Sequence, residues 1–161
     1  MDALVVQIGE ALKSHGLMLA TAESCTGGGV AQAITDVAGS SAWFERGFVT
    51  YTNISKREML GVSVDTLAAH GAVAEPTVRE MAHGALAASH AQIAVAVSGT
   101  AGPGGGTLEK PVGTVCLAWS AKDGETHSET RQFAGNREAV RRQAVEYALE
   151  GVLRLLEGVA K

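Results

Sequence analysis

Leu17-Met18-Leu19-Ala20-Thr21-Ala22-Glu23-Ser24-Cys25-Thr26-Gly27-Gly28-Gly29-Val30 decides the fold, because it passes from an apolar run through a glycine turn straight into a second apolar segment. Leu17 to Ala20 predicts a short buried strand, and Val30 to Val37 a helix that follows at once, the opening unit of an α/β chain. Ser24 falls on the connecting turn. Backbone N–H groups at such a helix start, helped by the helix dipole, can hold a developing oxyanion, so the turn suits the nucleophile of an amide-cleaving enzyme. The same residues admit a plainer reading, in which Ser24 or Thr26 caps the helix and the glycines let layers pack closely.

The elements around this turn extend the pattern. Ala3 to Lys13 places Leu4, Ile8, Ala11 and Leu12 at helical spacing and stops before His15-Gly16. Phe44 to Thr52 predicts a strand, and Asn53 or Ser55 can cap a helix carrying Lys56 through Leu60. Glu75-Pro76-Thr77 opens another helix with Val78, Met81, Ala82, Ala85 and Leu86 on one face. Ile93 to Ser98 reads as a strand covered on both faces. Val112 to Ser120 and Glu125 to Phe133 read as a hairpin around Lys122-Asp123-Gly124. Asn136 caps a last helix to about Gly158, with Val140, Ala144, Ala148, Val152 and Leu155 in its stripe. Alternation followed by a late hairpin predicts one domain over residues 1–161, a three-layer α/β/α sandwich with a mixed β-sheet.

Composition narrows the function classes. With 13 basic against 17 acidic residues the chain carries a net charge of −4, and no basic run offsets it, so a nucleic-acid binder is not expected. No apolar run reaches the roughly 18 residues of a membrane helix, and Met1-Asp2-Ala3-Leu4 lacks the basic start of a secretion signal, which predicts a cytoplasmic protein with no membrane partner. Cys25 and Cys116 are the two cysteines, and Cys116 lies within an apolar strand, so neither a disulfide framework nor a zinc site is expected. The abundance of small residues and apolar helices suits a homodimer or larger homo-oligomer.

A serine hydroxyl becomes a good nucleophile only when a base removes its proton. The five histidines have plainer explanations near helix ends, within a helix or in the hairpin. Lys56, in the first turn of its helix, sits where the macrodipole opposes an ammonium ion, and a lysine so placed can serve as a neutral base. Its alternative is a surface lysine. Tyr51 could orient or relay a proton, or be a core tyrosine with a wet hydroxyl. Cys25 is a rival nucleophile with no evident histidine partner. The loop from Gly99 to Thr107 could cradle a phosphate or form a tight turn; it is neither a Walker loop nor a dinucleotide fingerprint. Arg137 and Arg141 stand four apart at the start of the last helix, where a bound anion or Glu138 would offset them.

Glu23-Ser24-Cys25-Thr26-Gly27-Gly28, Tyr51-Thr52-Asn53-Ile54-Ser55-Lys56, Gly99-Thr100-Ala101-Gly102-Pro103-Gly104-Gly105-Gly106-Thr107, Glu109-Lys110-Pro111-Val112-Gly113-Thr114-Val115 and Phe133-Ala134-Gly135-Asn136-Arg137 with Arg141 stand in one order. By these five motifs, spread over nearly the whole length, the chain closely resembles the nicotinamide-nucleotide amidase family, the C-terminal domain of competence/damage-inducible protein CinA. The resemblance implies deamidation of nicotinamide mononucleotide (NMN) to nicotinate mononucleotide and ammonia, in pyridine-nucleotide salvage, with no cofactor and no metal. It implies Ser24, Tyr51 and Lys56 as catalytic residues, with Cys25, Thr26, Gly27 and Gly28 forming the oxyanion turn. It places Gly99, Thr100, Gly102, Gly104, Gly105, Arg137 and Arg141 at the substrate. Asn136, Gly29 and Ala74 depart from the family pattern, which normally has Asp, an apolar residue and Ser there. Longer members carry an N-terminal domain with no counterpart in these residues, so its functions are not expected here. Two other readings remain: a non-catalytic nucleotide-binding or partner module, and an amidase for another small carboxamide.

Overall fold

The computed structural model describes residues 1–159, so the last two residues of the expected domain lie outside the described residues. Five strands form one sheet: β1 (Leu19–Glu23), β2 (Phe44–Val49), β3 (Ile93–Gly99), β4 (Thr114–Ala121) and β5 (Thr126–Gln132). Their spatial order is β2-β1-β3-β4-β5, with β1 parallel to both neighbours and β3, β4 and β5 antiparallel in sequence. The sheet is therefore mixed.

Alternation along the central strands sorts the helices into two layers. On one face Leu19, Ile93, Val95, Val97, Val115, Leu117 and Trp119 meet α1 (Asp2–Ser14), α2 (Gly29–Thr35) and α6 (Arg137–Val159). On the other, Ala20, Ala22, Ala94, Ala96, Cys116 and Ala118 meet α3 (Asn53–Leu60) and α5 (Glu75–Ala87). The three-layer α/β/α architecture follows from two apolar faces that both need covering. The alanine face lets its helices sit close, and they sit close to each other too: a Cβ at Gly84 of α5 would lie 1.9 Å from the Leu60 carbonyl oxygen.

Several elements differ from the sequence expectation in detail. β1 continues to Glu23, because Thr21 and Glu23 are as fully enclosed as their alanine neighbours. The N-cap of α3 is Thr52 rather than Asn53 or Ser55; Ser55 instead completes a reciprocal capping box from the third helical position. A short helix, α4 (Val64–His70), stands between α3 and α5 and was not expected. It buries no residue completely and so has no apolar stripe, although Ser63 caps it. Asn136 accepts from the Ala139 amide, as expected of the α6 cap, while Leu156 rather than Leu155 is the fully buried end of its stripe. No described helix is long and apolar enough to cross a membrane.

The chain order opens a crevice at one end of the sheet. After β1 the chain turns into α2 on the branched-residue face, and after β2 it turns into α3 on the alanine face. Neighbouring parallel strands whose exits leave in opposite directions create a ligand crevice at their carboxyl ends.

Candidate active site

Three strand ends deliver the side chains. Ser24 leaves β1, Tyr51 and Lys56 follow β2, and the Gly99 to Gly105 loop follows β3. Ser24, Cys25, Tyr51, Lys56, Ser98, Gly99, Thr100, Gly102, Gly104, Gly105 and Arg137 all border one cavity of about 270 Å³. The Ser24 amide donates to the Val97 carbonyl at 2.9 Å, which locks the end of β1 against β3. Gly27 and Gly28 then take positive φ of 60° and 101°, reversing the chain into α2 at little steric cost.

Lys56 is 1% exposed despite its charge. Its Nζ lies 3.0 Å from Ser24 Oγ, 2.9 Å from the Thr50 carbonyl oxygen and 3.4 Å from that of Tyr51. Burial pushes its pKa below the ordinary 10.5, with a smaller opposing contribution from Cys25. A neutral amine has two hydrogens and one lone pair. With both hydrogens on the two carbonyls, the lone pair faces the Ser24 hydroxyl, the arrangement a general base requires. The neighbouring thiol is in the opposite situation: burial pushes Cys25 up to about 11, so it is a neutral thiol near pH 7.

Tyr51 is 59% exposed, and its hydroxyl accepts from Arg137 at 3.2 Å. Arg137 also donates to the Gly102 carbonyl at 2.9 Å, so its guanidinium spans the mouth of the cavity. The Tyr51 hydroxyl has no hydrogen bond to Ser24 or Lys56 among the described residues. Arg141 is placed elsewhere. It donates to the Cys25 carbonyl at 3.1 Å and to that of Thr26 at 3.4 Å, bracing the turn from outside the Ser24 cavity. Together with Thr26 it borders a separate recess between α2 and α6.

The turn amides are unequally available. That of Gly27 donates to the Ser24 carbonyl at 3.0 Å. Those of Cys25, Thr26 and Gly28 donate to no backbone carbonyl among the described residues.

Sequence reasoning assigned no individual role to two residues at this site. Glu23, 1% exposed, accepts from Thr26 Oγ1 at 2.6 Å and from the Val30 and Ala31 amides at 2.8 and 3.0 Å. It, and not Ser24 or Thr26, caps α2, and its charge complements the helix dipole. A carboxylate closing a strand of small residues is the sequence signal for it. Replacing Glu23 by alanine leaves two buried donors and one half-buried donor unpaired, and we expect urea unfolding to show a loss of about 3 kcal/mol. The second is Ser98, the one hydroxyl in the run Ile93 to Ser98.

Among the described residues, no group of three or more His, Cys, Asp or Glu side chains is disposed to hold a metal ion.

Comparison with known proteins gives the family. Residues 1–156 match the CinA C-terminal domain family. The chain is 60% identical over 144 residues to nicotinamide-nucleotide amidohydrolase PncC of Escherichia coli strain K12, covering 89% of this chain and 87% of that protein. To the protein of the same name from Pseudomonas putida it is 56% identical over 156 residues, 96% of each. The crystal structure of the competence/damage-inducible protein CihA from Agrobacterium tumefaciens superposes with a TM-score of 0.93 at 50% identity, covering 96% of this chain and 94% of that one. The strand-end serine turn, the buried lysine and the glycine loop thus sit in a chain that belongs to the CinA C-terminal domain family.

Proposed function

We propose that this chain is a nicotinamide mononucleotide amidohydrolase, converting NMN and water to nicotinate mononucleotide and ammonia with Ser24 as nucleophile and Lys56 as base. The observation that carries the proposal is the buried Lys56 amine 3.0 Å from the Ser24 hydroxyl, in a chain 56–60% identical to relatives named nicotinamide-nucleotide amidohydrolase.

Neutral Lys56 takes the Ser24 proton as Oγ attacks the carboxamide carbon. The oxygen of the tetrahedral intermediate becomes an oxyanion, for which the Cys25 and Thr26 amides are the proposed donors. Lys56 then passes its proton to the amide nitrogen, the C–N bond breaks, and ammonia leaves. Water, deprotonated by Lys56, attacks the resulting acyl ester. The C–Oγ bond breaks, nicotinate mononucleotide departs, and the proton returns to Ser24. Lys56 acts directly in this scheme. Tyr51 and Arg137 work at the mouth, where the guanidinium suits the phosphate end of the substrate. Arg141 acts on the turn rather than on the substrate.

The scheme fixes the sign of the pH dependence. Only the unprotonated amine is active, so kcat/KM rises with pH through the lowered Lys56 pKa and then levels off below the ordinary 10.5. A profile that falls over that range would contradict Lys56 as base.

A substrate panel tests the assignment. We expect NMN to exceed its riboside in kcat/KM by about a hundredfold, and free nicotinamide by more, with the gap over the riboside largely closed in Arg137→Ala. Equal turnover of all three would identify an amidase for another carboxamide. Nucleotide binding without ammonia release would identify a non-catalytic module.

A further inference from the structure

On the alanine face of the sheet, β3 reads Ala94, Ala96, Ser98, and the strands beside it present Ala20, Ala22 and Ala118. Packing there asks for a methyl-sized side chain. Ser98 supplies a hydroxyl instead. It is 1% exposed and has no side-chain hydrogen bond among the described residues, yet it borders the Ser24 cavity. The Thr21 hydroxyl is the one fully enclosed polar side-chain atom without a partner among the described residues, so the Ser98 hydroxyl is not sealed in the core. A hydroxyl at 1% exposure with no protein partner costs stability unless a ligand or water in the cavity satisfies it.

Ser98 follows Val97, whose carbonyl holds the Ser24 amide, so the two serines stand side by side at the ends of adjacent strands. Lys56 comes from α3, on the same face of the sheet as Ser98. A carboxamide attacked by Ser24 presents its oxygen to the turn amides, and its NH2 group then needs an acceptor that also turns it toward Lys56. Resting on the NMN amidohydrolase reading, we propose that Ser98 is a substrate-contacting residue whose hydroxyl accepts a hydrogen bond from the carboxamide N–H and orients the leaving nitrogen toward Lys56.

The test is Ser98→Ala, assayed on NMN and on the methyl ester of nicotinate mononucleotide, whose leaving group has no N–H to hold. The substitution continues the alanine face and removes no intramolecular hydrogen bond, so Tm stays the same or rises. We expect kcat/KM on NMN to fall by about tenfold or more, while hydrolysis of the more reactive ester changes less than twofold. Unchanged NMN turnover overturns the proposal. Parallel losses on both substrates, or a loss that tracks a lower Tm, overturn it as well, because a structural role would produce them. A wild-type enzyme inactive on NMN instead refutes the amidohydrolase reading and is told apart by that control alone.

Discussion

Lys56→Met is expected to lower kcat on NMN by about a thousandfold while leaving the protein at least as stable as the wild type. The first part follows from removing the amine 3.0 Å from Ser24 Oγ: general base catalysis contributes on the order of a hundred- to ten-thousandfold. The second follows from burial. Enclosing an amine that prefers its charged form disfavours folding, and a methionine of similar length fills the space without that cost. The pH dependence of the stability difference checks the same point. Because the folded-state pKa of Lys56 lies below its ordinary 10.5, the unfolded chain binds the proton more tightly. The destabilisation is thus fully present at pH below the folded value and is relieved as pH rises through it towards 10.5. The stability gain in Lys56→Met, measured by urea unfolding at several pH values, should be largest at the acid end of that range. A variant that loses activity only in proportion to a lower Tm would mean that Lys56 holds the fold and not the proton.

Ser24→Ala carries the other large effect, a loss on the order of ten-thousandfold in kcat with NMN affinity retained, since the nucleophile vanishes while the cavity wall stays. Cys25→Ala is its control. The Cys25 thiol, pushed up to about 11, supplies almost no thiolate near pH 7, and its removal should change kcat less than tenfold. Isothermal titration with NMN on Ser24→Ala, beside steady-state rates, separates lost chemistry from lost binding. Retained turnover in Ser24→Ala with loss in Cys25→Ala would reverse the assignment of nucleophile.

Much of this architecture was legible in the residues because packing and periodicity agreed. The α5 stripe of Val78, Met81, Ala82, Ala85 and Leu86 is buried as its spacing predicts. Asp123, at φ 61°, makes the turn that joins β4 to β5. What stayed hidden depended on contacts distant in sequence. α4 has no buried residue and hence no stripe to read. Glu23 reads as a polar residue at a strand end, and its work as the α2 cap is visible only once β1 and α2 meet. Ser24, Tyr51 and Lys56 fall after the ends of parallel strands, where the topology opens a crevice. That Lys56 reaches Ser24 directly, that Tyr51 turns to Arg137, and that Arg141 braces the turn are matters of side-chain direction, which spacing does not encode. Ser98 was hidden for another reason: one hydroxyl at a strand end looks like punctuation until its missing partner is noticed.

A serine nucleophile activated by a buried lysine carries out the proposed NMN deamidation. Its most direct measurement is ammonia and nicotinate mononucleotide production from NMN by the wild type beside Ser24→Ala, Cys25→Ala and Lys56→Ala, each with EDTA present. Activity should persist in EDTA and in Cys25→Ala and disappear in the other two. A folded wild type that binds NMN and releases no ammonia, or a Ser24→Ala that still does, would contradict that mechanism.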